Sequence, residues 1–399
     1  MHRTTDRVRH SRADDHGPGA RPGPPPSGGR SGPGSQGRPD VIVFRRYAEV
    51  SVVARDPAFM VKDADWFDAH LPGWRQSAGM RLFGTHMLFH NGASHQRLRK
   101  AMVPAFSPAR LRSLREVVRT VTEQRLDLLA EQPSGDVVDL HALLTTPVTR
   151  GTGCALVGLP EQDGPRVHEL VQPLLALLDP GVGLPALTRA DRAANALRPC
   201  LDALVTERRA RPKDDLASSA AAALDDDEAA SALSLGLAGG FDTTLTLLDY
   251  AISGLLTSTA RAAVASGEDS AVHTAINEAL RLSAPIGLIT RIARHEVTVG
   301  GVRVPAGQEV MAWICDANRD PERFPEPDSF EPQRPAGRLL SFGGGPHYCL
   351  GAQLAKLEAS LVLPAVLRRF PRMAPAGPLR PNDRLNVRGW TELPVVLDP

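Results

Sequence analysis

Apolar residues recur every three to four positions through 111–129, 137–157, 167–178, 194–208, 231–257 and 270–282, the period of a helix with one buried face. Shorter runs with β-like composition lie at 40–44, 50–53, 297–304, 309–314 and 393–397. The helical period dominates, so the expected fold class is mainly α with small β-sheets (α+β), and no internal repeat breaks the pattern. The run 231–257 is apolar almost all round, which places it at the centre of the fold. Residues 1–40, rich in Pro, Gly, Arg and Ser, carry too few apolar groups to offset their ordering entropy and are expected to be a disordered tail. The remainder, 41–399, reads as a single domain, with a Pro-rich irregular stretch from 320 to about 339.

Composition adds exclusions. With 42% hydrophobic and 23% charged residues and a net charge of +1, the chain is ordinary for a globular protein. Nothing in that balance favours nucleic acid or an anionic membrane as partner. No stretch approaches the eighteen apolar residues of a membrane span, and 1–40 lacks the apolar middle of a signal peptide. Cys154, Cys200, Cys315 and Cys349 are scattered, without CxxC spacing. A reducing cytoplasm fits them, and a buried structural thiol is the default for the first three.

Cys349 is different. It sits in SFGGGPHYCLGAQLAKLEASLVL, where Gly343, Gly344, Gly345 and Pro346 form a sharp loop and an amphipathic helix follows Gly351. A thiolate just before a helix N-terminus is favoured by the free N–H groups and the dipole, as a metal ligand requires. A structural cysteine would not need so costly a loop. No Cys–His protease or CxxC context surrounds it, and the Lys and Ser/Thr of a phosphate loop are missing. The segment FGGGPHYCLG resembles the haem-binding signature of the cytochrome P450 family, FxxGxxxCxG with His two residues before Cys. The resemblance implies a P450-like fold with a long central helix over the haem, and Cys349 as the axial thiolate that favours O–O cleavage. It also implies that Phe342 lies against the haem, that Gly343 and Gly351 shape its cradle, and that His347 reaches a propionate.

Other motifs occur in the same order as in that family. HTAINEALRLSAP carries Glu278 and Arg281, which with Arg334 in FEPQRP resemble the structural Glu–Arg–Arg cluster. ASHQRLRKAM offers His95 and Arg99 on one helical face, and Arg291 occupies the place of a third propionate partner. GGFDTT resembles the oxygen-activation motif. Gly239 and Gly240 would make room, at a cost of about 1 kcal/mol each relative to Ala. Asp242 and Thr243 would deliver protons, with Thr243 able to bond back to the Gly239 carbonyl. Two features depart from the family pattern besides the long tail: LFHNGAS lacks an Asp-Pro-Pro turn, and 213–230 is short and Ala-rich.

The resemblance further implies a monomeric monooxygenase using haem b, O2 and NAD(P)H-derived electrons, delivered by a ferredoxin and its reductase. An acidic ferredoxin would dock on Arg97, Lys100, Arg110, Arg112 and Lys356. Leu235, Ala238, Gly287, Leu288, Ile289, Trp390 and Thr391 would line a pocket for a small, largely apolar substrate. The Ala/Arg/Gly/Pro-rich composition suits tailoring of a bacterial secondary metabolite. Two alternatives stay open: a haem-thiolate enzyme doing oxidative coupling, peroxygenation or nitric oxide reduction, and a catalytically silent recruitment module.

Overall fold

In the chain, strand β1 (Ile42–Phe44) leads into α1 (Tyr47–Arg55), β2 (Phe59–Met60), α2 (Ala64–His70), α3 (Ala78–Gly84), α4 (Gly92–Met102) and α5 (Pro108–Ala130). Next come β3 (Val137–Asp139), a π-helical turn (His141–Thr145), α6 (Thr146–Val157), α7 (Gly164–Leu175), α8 (Leu184–Ala210), α9 (Leu216–Ala223) and α10 (Asp226–Leu256). The last part holds α11 (Arg261–Ser266), α12 (Asp269–Ser283), β4 (Leu288–Ala293), β5 (Val297–Val299), β6 (Val302–Val304), β7 (Glu309–Trp313), α13 (Ile314–Ala317) and α14 (Ala352–Arg369). Strands β8 (Ala374–Pro375), β9 (Arg380–Pro381), β10 (Trp390–Glu392) and β11 (Pro394–Val396) close the chain. This computed structural model describes residues 41–335 and 337–398, so the segment 1–40 expected to be a tail lies outside the described residues.

The fold is mainly helical with small sheets, as the dominant period predicts. The largest sheet has the order β1-β7-β4-β2, with β1 parallel to β7 and Leu288 facing Trp313 across the antiparallel β4–β7 pair. Two expected elements differ. The run 50–53 is not a strand but the interior of α1, where Val50, Val53 and Ala54 are buried at helical spacing. A four-residue, valine-rich window is too short to display that period. The expected helix over 137–157 is divided, because Val137–Asp139 pairs antiparallel with Pro394–Val396 and that long-range pairing overrides local pattern.

Helix α10 runs for 31 residues, about 46 Å. Asp225 caps it by accepting from the Glu228 N–H at 2.8 Å, and Asp226, Asp227 and Glu228 complement the dipole in its first turn. Leu233, Leu237, Phe241, Leu248, Ile252 and Leu255 are fully buried on its flanks. Gly345–Arg369 is long and apolar enough by composition to cross a membrane, contrary to the expectation that no stretch approaches a span. Half of that window is buried in the fold (50%), where Val362, Leu363 and Val366 pack with residues of α5, α10 and α12. The Ala-rich 213–230 segment becomes the short α9, capped by Asp215, and two residues later α10 begins.

Candidate active site

Burial of α10 is interrupted along one stripe. Leu235, Gly239, Asp242 and Thr243, spaced i, i+4, i+7 and i+8, are half-buried or exposed while their flanks are buried. Those spacings lie on one helical face, so the stripe borders a cleft. A Cβ added to Gly239 would meet nothing within 4 Å, whereas one on Gly240 would come 3.9 Å from the Gly153 Cα of α6. Thr243 Oγ1 donates to the Gly239 carbonyl at 2.5 Å. Asp242 turns towards α7: Gln172 Nε2 donates to its Oδ1 at 2.7 Å, His168 Nε2 is 3.7 Å from Oδ2 and Arg384 Nη1 is 3.9 Å from Oδ1. Burial, the largest influence, pushes this carboxyl up, but His168, Gln172 and Arg384 outweigh it and hold it below the usual carboxylate range.

The cysteine loop sits at the N-terminus of α14. Gly343 and Gly345 adopt φ of +69° and +60°, a region that glycine enters without penalty. Gly344 is pressed by Arg55, which would lie 2.5 Å from an added Cβ. The Cys349 N–H donates to the Phe342 carbonyl at 2.9 Å. Cys349 exposes surface although protein surrounds it, as expected for a side chain facing an internal cleft. Burial pushes its thiol up, and the N–H groups of Gly351 and Ala352 with the charge of Arg99 offset only part of that. The helix terminus favours the anion here, as the sequence suggests, while burial opposes it. Phe342 lies beside the loop, under Lys356 Nζ at 5.8 Å from its ring.

Beside this loop, basic groups gather without acids. The rings of His95 (α4) and His347 are 4.2 Å apart. Burial, then the fields of Arg291, His95 and Arg99, lower the His347 pKa to about 3. Burial lowers Arg291 to about 10. Among the described residues neither Arg99 nor Arg291 is paired with a carboxylate, and the buried His95 Nε2 has no hydrogen-bond partner. Such a cluster is built for an anion.

A family model described as Cytochrome P450 matches residues 271–394. The 6-deoxyerythronolide B hydroxylase of Saccharopolyspora erythraea is 33% identical over 330 residues, 79% of this chain and 79% of that protein. The erythromycin C-12 hydroxylase of the same organism is 33% identical over 88% of each chain. This chain belongs to the cytochrome P450 family. Among solved structures, P450BioI in complex with an acyl carrier protein ligated to hexadec-9Z-enoic acid aligns with a TM-score of 0.82 at 26% identity, covering 89% of this chain and 91% of that one. With the family come monooxygenase chemistry, a haem-thiolate cofactor, O2, electrons from a partner and a small-molecule substrate.

The residues of this P450 fit a haem: the open Gly239 face would accept a flat group, and His95, Arg99 and Arg291, with no carboxylate partner among the described residues, match its two carboxylates. Behind the cysteine loop, Arg281 (1% exposed) forks onto Glu278 with two bonds of 2.8 Å and donates to the carbonyls of Asn318, Pro327 and Ser329. Arg334 Nε reaches Glu278 at 3.3 Å. Asn318 binds Ser341, whose hydroxyl donates to the Leu280 carbonyl, so the cluster fixes the start of the loop to α12. In place of an Asp-Pro-Pro turn, Asn91 bonds to both backbone groups of Val61 and to Asp63.

The residues expected in the pocket separate. Leu235 borders the cleft, Ala238 is buried beside it, and Leu288 and Ile289 lie on β4. Gly287 donates to the Asn386 carbonyl. Trp390 stacks on Tyr250 of α10, 6.0 Å away, and Thr391 is exposed. The loop 382–389 also reaches α10: Val387 bridges Ile286, and the Arg388 carbonyl accepts from Thr246 at 2.7 Å. Gln172, His168 and Arg384 carried no motif, and only the fold brings them to Asp242. On the other face, Arg97 is committed to Glu228 and Arg110 to the Ala155 carbonyl, which leaves Lys100 and Arg112 exposed.

Proposed function

We propose that this P450 inserts one oxygen atom from O2 into a small organic substrate, by hydroxylation or epoxidation, in the tailoring of a bacterial secondary metabolite. The observation that carries this reading is the Asp242–Thr243 pair on an open stripe of the central helix whose flanks are buried. Relatives named as hydroxylases of 6-deoxyerythronolide B and erythromycin support a polyketide-type product as substrate. Residues 41–399 act as a single catalytic domain and a monomer, and the four unpaired cysteines fit a reducing cytoplasm.

Cys349 would hold haem b as its thiolate ligand, with Phe342, Gly343 and Gly351 around the sulfur and His95, Arg99, Arg291 and His347 on the propionates. When bound, the haem supplies the oxidising chemistry at the substrate carbon. The chain's own residues do the rest. Gly239 and Gly240 keep space beside the helix, Thr243 presents its hydroxyl to the cleft, and Asp242 passes protons to that hydroxyl. Leu235, Ala238, Leu288 and Ile289 supply an apolar wall that orients the substrate and excludes water. Electrons derived from NAD(P)H arrive through a ferredoxin and its reductase, docking at Lys100, Arg112 and Lys356.

Two measurements test this. The reduced protein with CO is expected to give the red-shifted thiolate Soret band, and Cys349→Ser to lose it; a wild-type spectrum without the band would end the haem-thiolate assignment. In Thr243→Ala, peroxide release is expected to rise at the expense of product, by roughly tenfold in the product-to-peroxide ratio. Unchanged product yield per NAD(P)H would remove Thr243 from proton delivery and favour oxidative coupling or another reaction without oxygen insertion.

A further inference from the structure

We infer that His168 is the proton source for Asp242, and that Gln172 and Arg384 are the residues that hold the two groups together. The inference rests on the reading of Asp242 and Thr243 as a proton-delivering pair, and extends it one step towards solvent.

His168 and Gln172 are one turn apart on α7, both facing α10. The amide nitrogen of Gln172 lies 2.7 Å from Asp242 Oδ1 and 2.7 Å from His168 Nε2, so its two N–H groups serve one acceptor each. His168 Nε2 then accepts, and the ring proton is on Nδ1. Arg384, from the loop between β9 and β10, donates to the Gln172 side-chain oxygen and to its carbonyl at 3.2 Å, fixing which way the amide points. Asp242 Oδ2 is left buried with no hydrogen-bond partner, and His168 Nε2 stands 3.7 Å away. Leaving a buried carboxylate oxygen unsatisfied is unfavourable, and it keeps one acceptor of Asp242 open towards the ring.

The ring of His168 is seated edge-on against Phe241, at 5.1 Å and 73°, and its side chain retains 16% exposure against 14% for Asp242. It can therefore exchange protons with solvent while staying in register with the carboxylate. Once Nε2 carries a proton it no longer accepts from Gln172, and its N–H faces Oδ2. In the transfer the Nε2–H bond breaks and an O–H bond forms on Oδ2. Imidazolium becomes neutral imidazole, carboxylate becomes carboxylic acid, and solvent then returns a proton to the ring. Asp242 is otherwise an anion at neutral pH, with no proton of its own to give. Also near the pair are Arg384 from the hairpin loop, and His141 of the π-helical turn with Asp249 of α10, 2.8 Å apart and engaged with each other. Arg166 and Glu169 on α7 are exposed.

Because His168 acts through Asp242, it is a positioning residue for the proton, and the test needs a readout that mere packing would not move. The holoenzyme is compared with His168→Gln, His168→Asn, Arg384→Gln and Asp242→Asn for product per NAD(P)H, solvent isotope effect and substrate affinity from the spin-state titration. Both His168 variants are expected to slow by roughly tenfold and gain a larger solvent isotope effect, with substrate affinity within about twofold. Arg384→Gln, which loosens Gln172 but keeps the imidazole, is expected to slow turnover by less than either His168 variant. Wild-type turnover and isotope effect in both His168 variants, with Asp242→Asn impaired, overturn the role of His168 alone. If Asp242→Asn is also unimpaired, the proton-delivery reading of Asp242 falls, and this inference with it.

Discussion

His86 is 1% exposed, shares a 2.7 Å hydrogen bond with Ser234 of α10 and leaves its other ring nitrogen unpartnered. Burial first, and His90 second, lower its pKa to about 3. The folded value lies below the unfolded one, about 6.5, so the unfolded chain takes up the proton first as pH falls. His86 thus contributes nothing unfavourable above pH ~6.5, and stability is lost as pH drops from there towards 3. Between pH 6.5 and 5 the loss is expected to reach about 2 kcal/mol, at 1.36 kcal/mol per pH unit. Urea midpoints at the two pH values should reveal it, and His86→Asn should shrink the difference; equal losses in both proteins would locate the acid sensitivity elsewhere. A lone histidine between Thr85 and Met87 gave no sign of this in the sequence, since its burial comes from α10, some 150 residues later in the chain. Cys349 is the opposite case, because its loop is a contiguous pattern and could be read directly.

At the scale of elements, α10 was legible because a long apolar run needs no partner to announce that it is buried. Its open stripe was legible only as two costly glycines and an acid. Gly239 tests that stripe cleanly. Alanine there meets nothing within 4 Å, so the apoprotein is expected to gain about 0.5–1 kcal/mol from helix propensity. The same methyl group would intrude on the cleft and lower turnover. Denaturation of the apoprotein and steady-state rates measured on the same Gly239→Ala preparation check both halves, and a loss of stability would mean that the face is packed. Short elements fared worse in the sequence. The run 50–53 could be strand or helix until α1 packed, and 137–139 became a strand only by pairing with Pro394–Val396.

For the whole molecule, the buried Glu278–Arg281–Arg334 cluster joins α12 to the irregular stretch that delivers the cysteine loop. Removing one partner of a buried ion pair typically costs 3–5 kcal/mol, because the other charge stays buried and uncompensated. Glu278→Gln is expected to lose about that much in chemical denaturation and to retain haem poorly, while the reduced-CO band of whatever haem remains keeps its position. A shifted band would instead tie the cluster to the thiolate itself.

Sequence by itself determined the class of fold, the cysteine loop and the acid–alcohol pair, since each is a local pattern whose chemistry is carried by neighbours along the chain, whereas His95, Arg291 and His347 meet only in the fold. Tertiary structure decided what those groups face. It set the 382–389 loop against α10 beside Trp390, and it committed Arg97 to Glu228. It also gathered His168, Gln172 and Arg384 around Asp242 from segments up to 216 residues apart in numbering (384 − 168). No spacing rule links such residues, because their proximity is produced by the packing of α7 and a β-hairpin loop on the central helix.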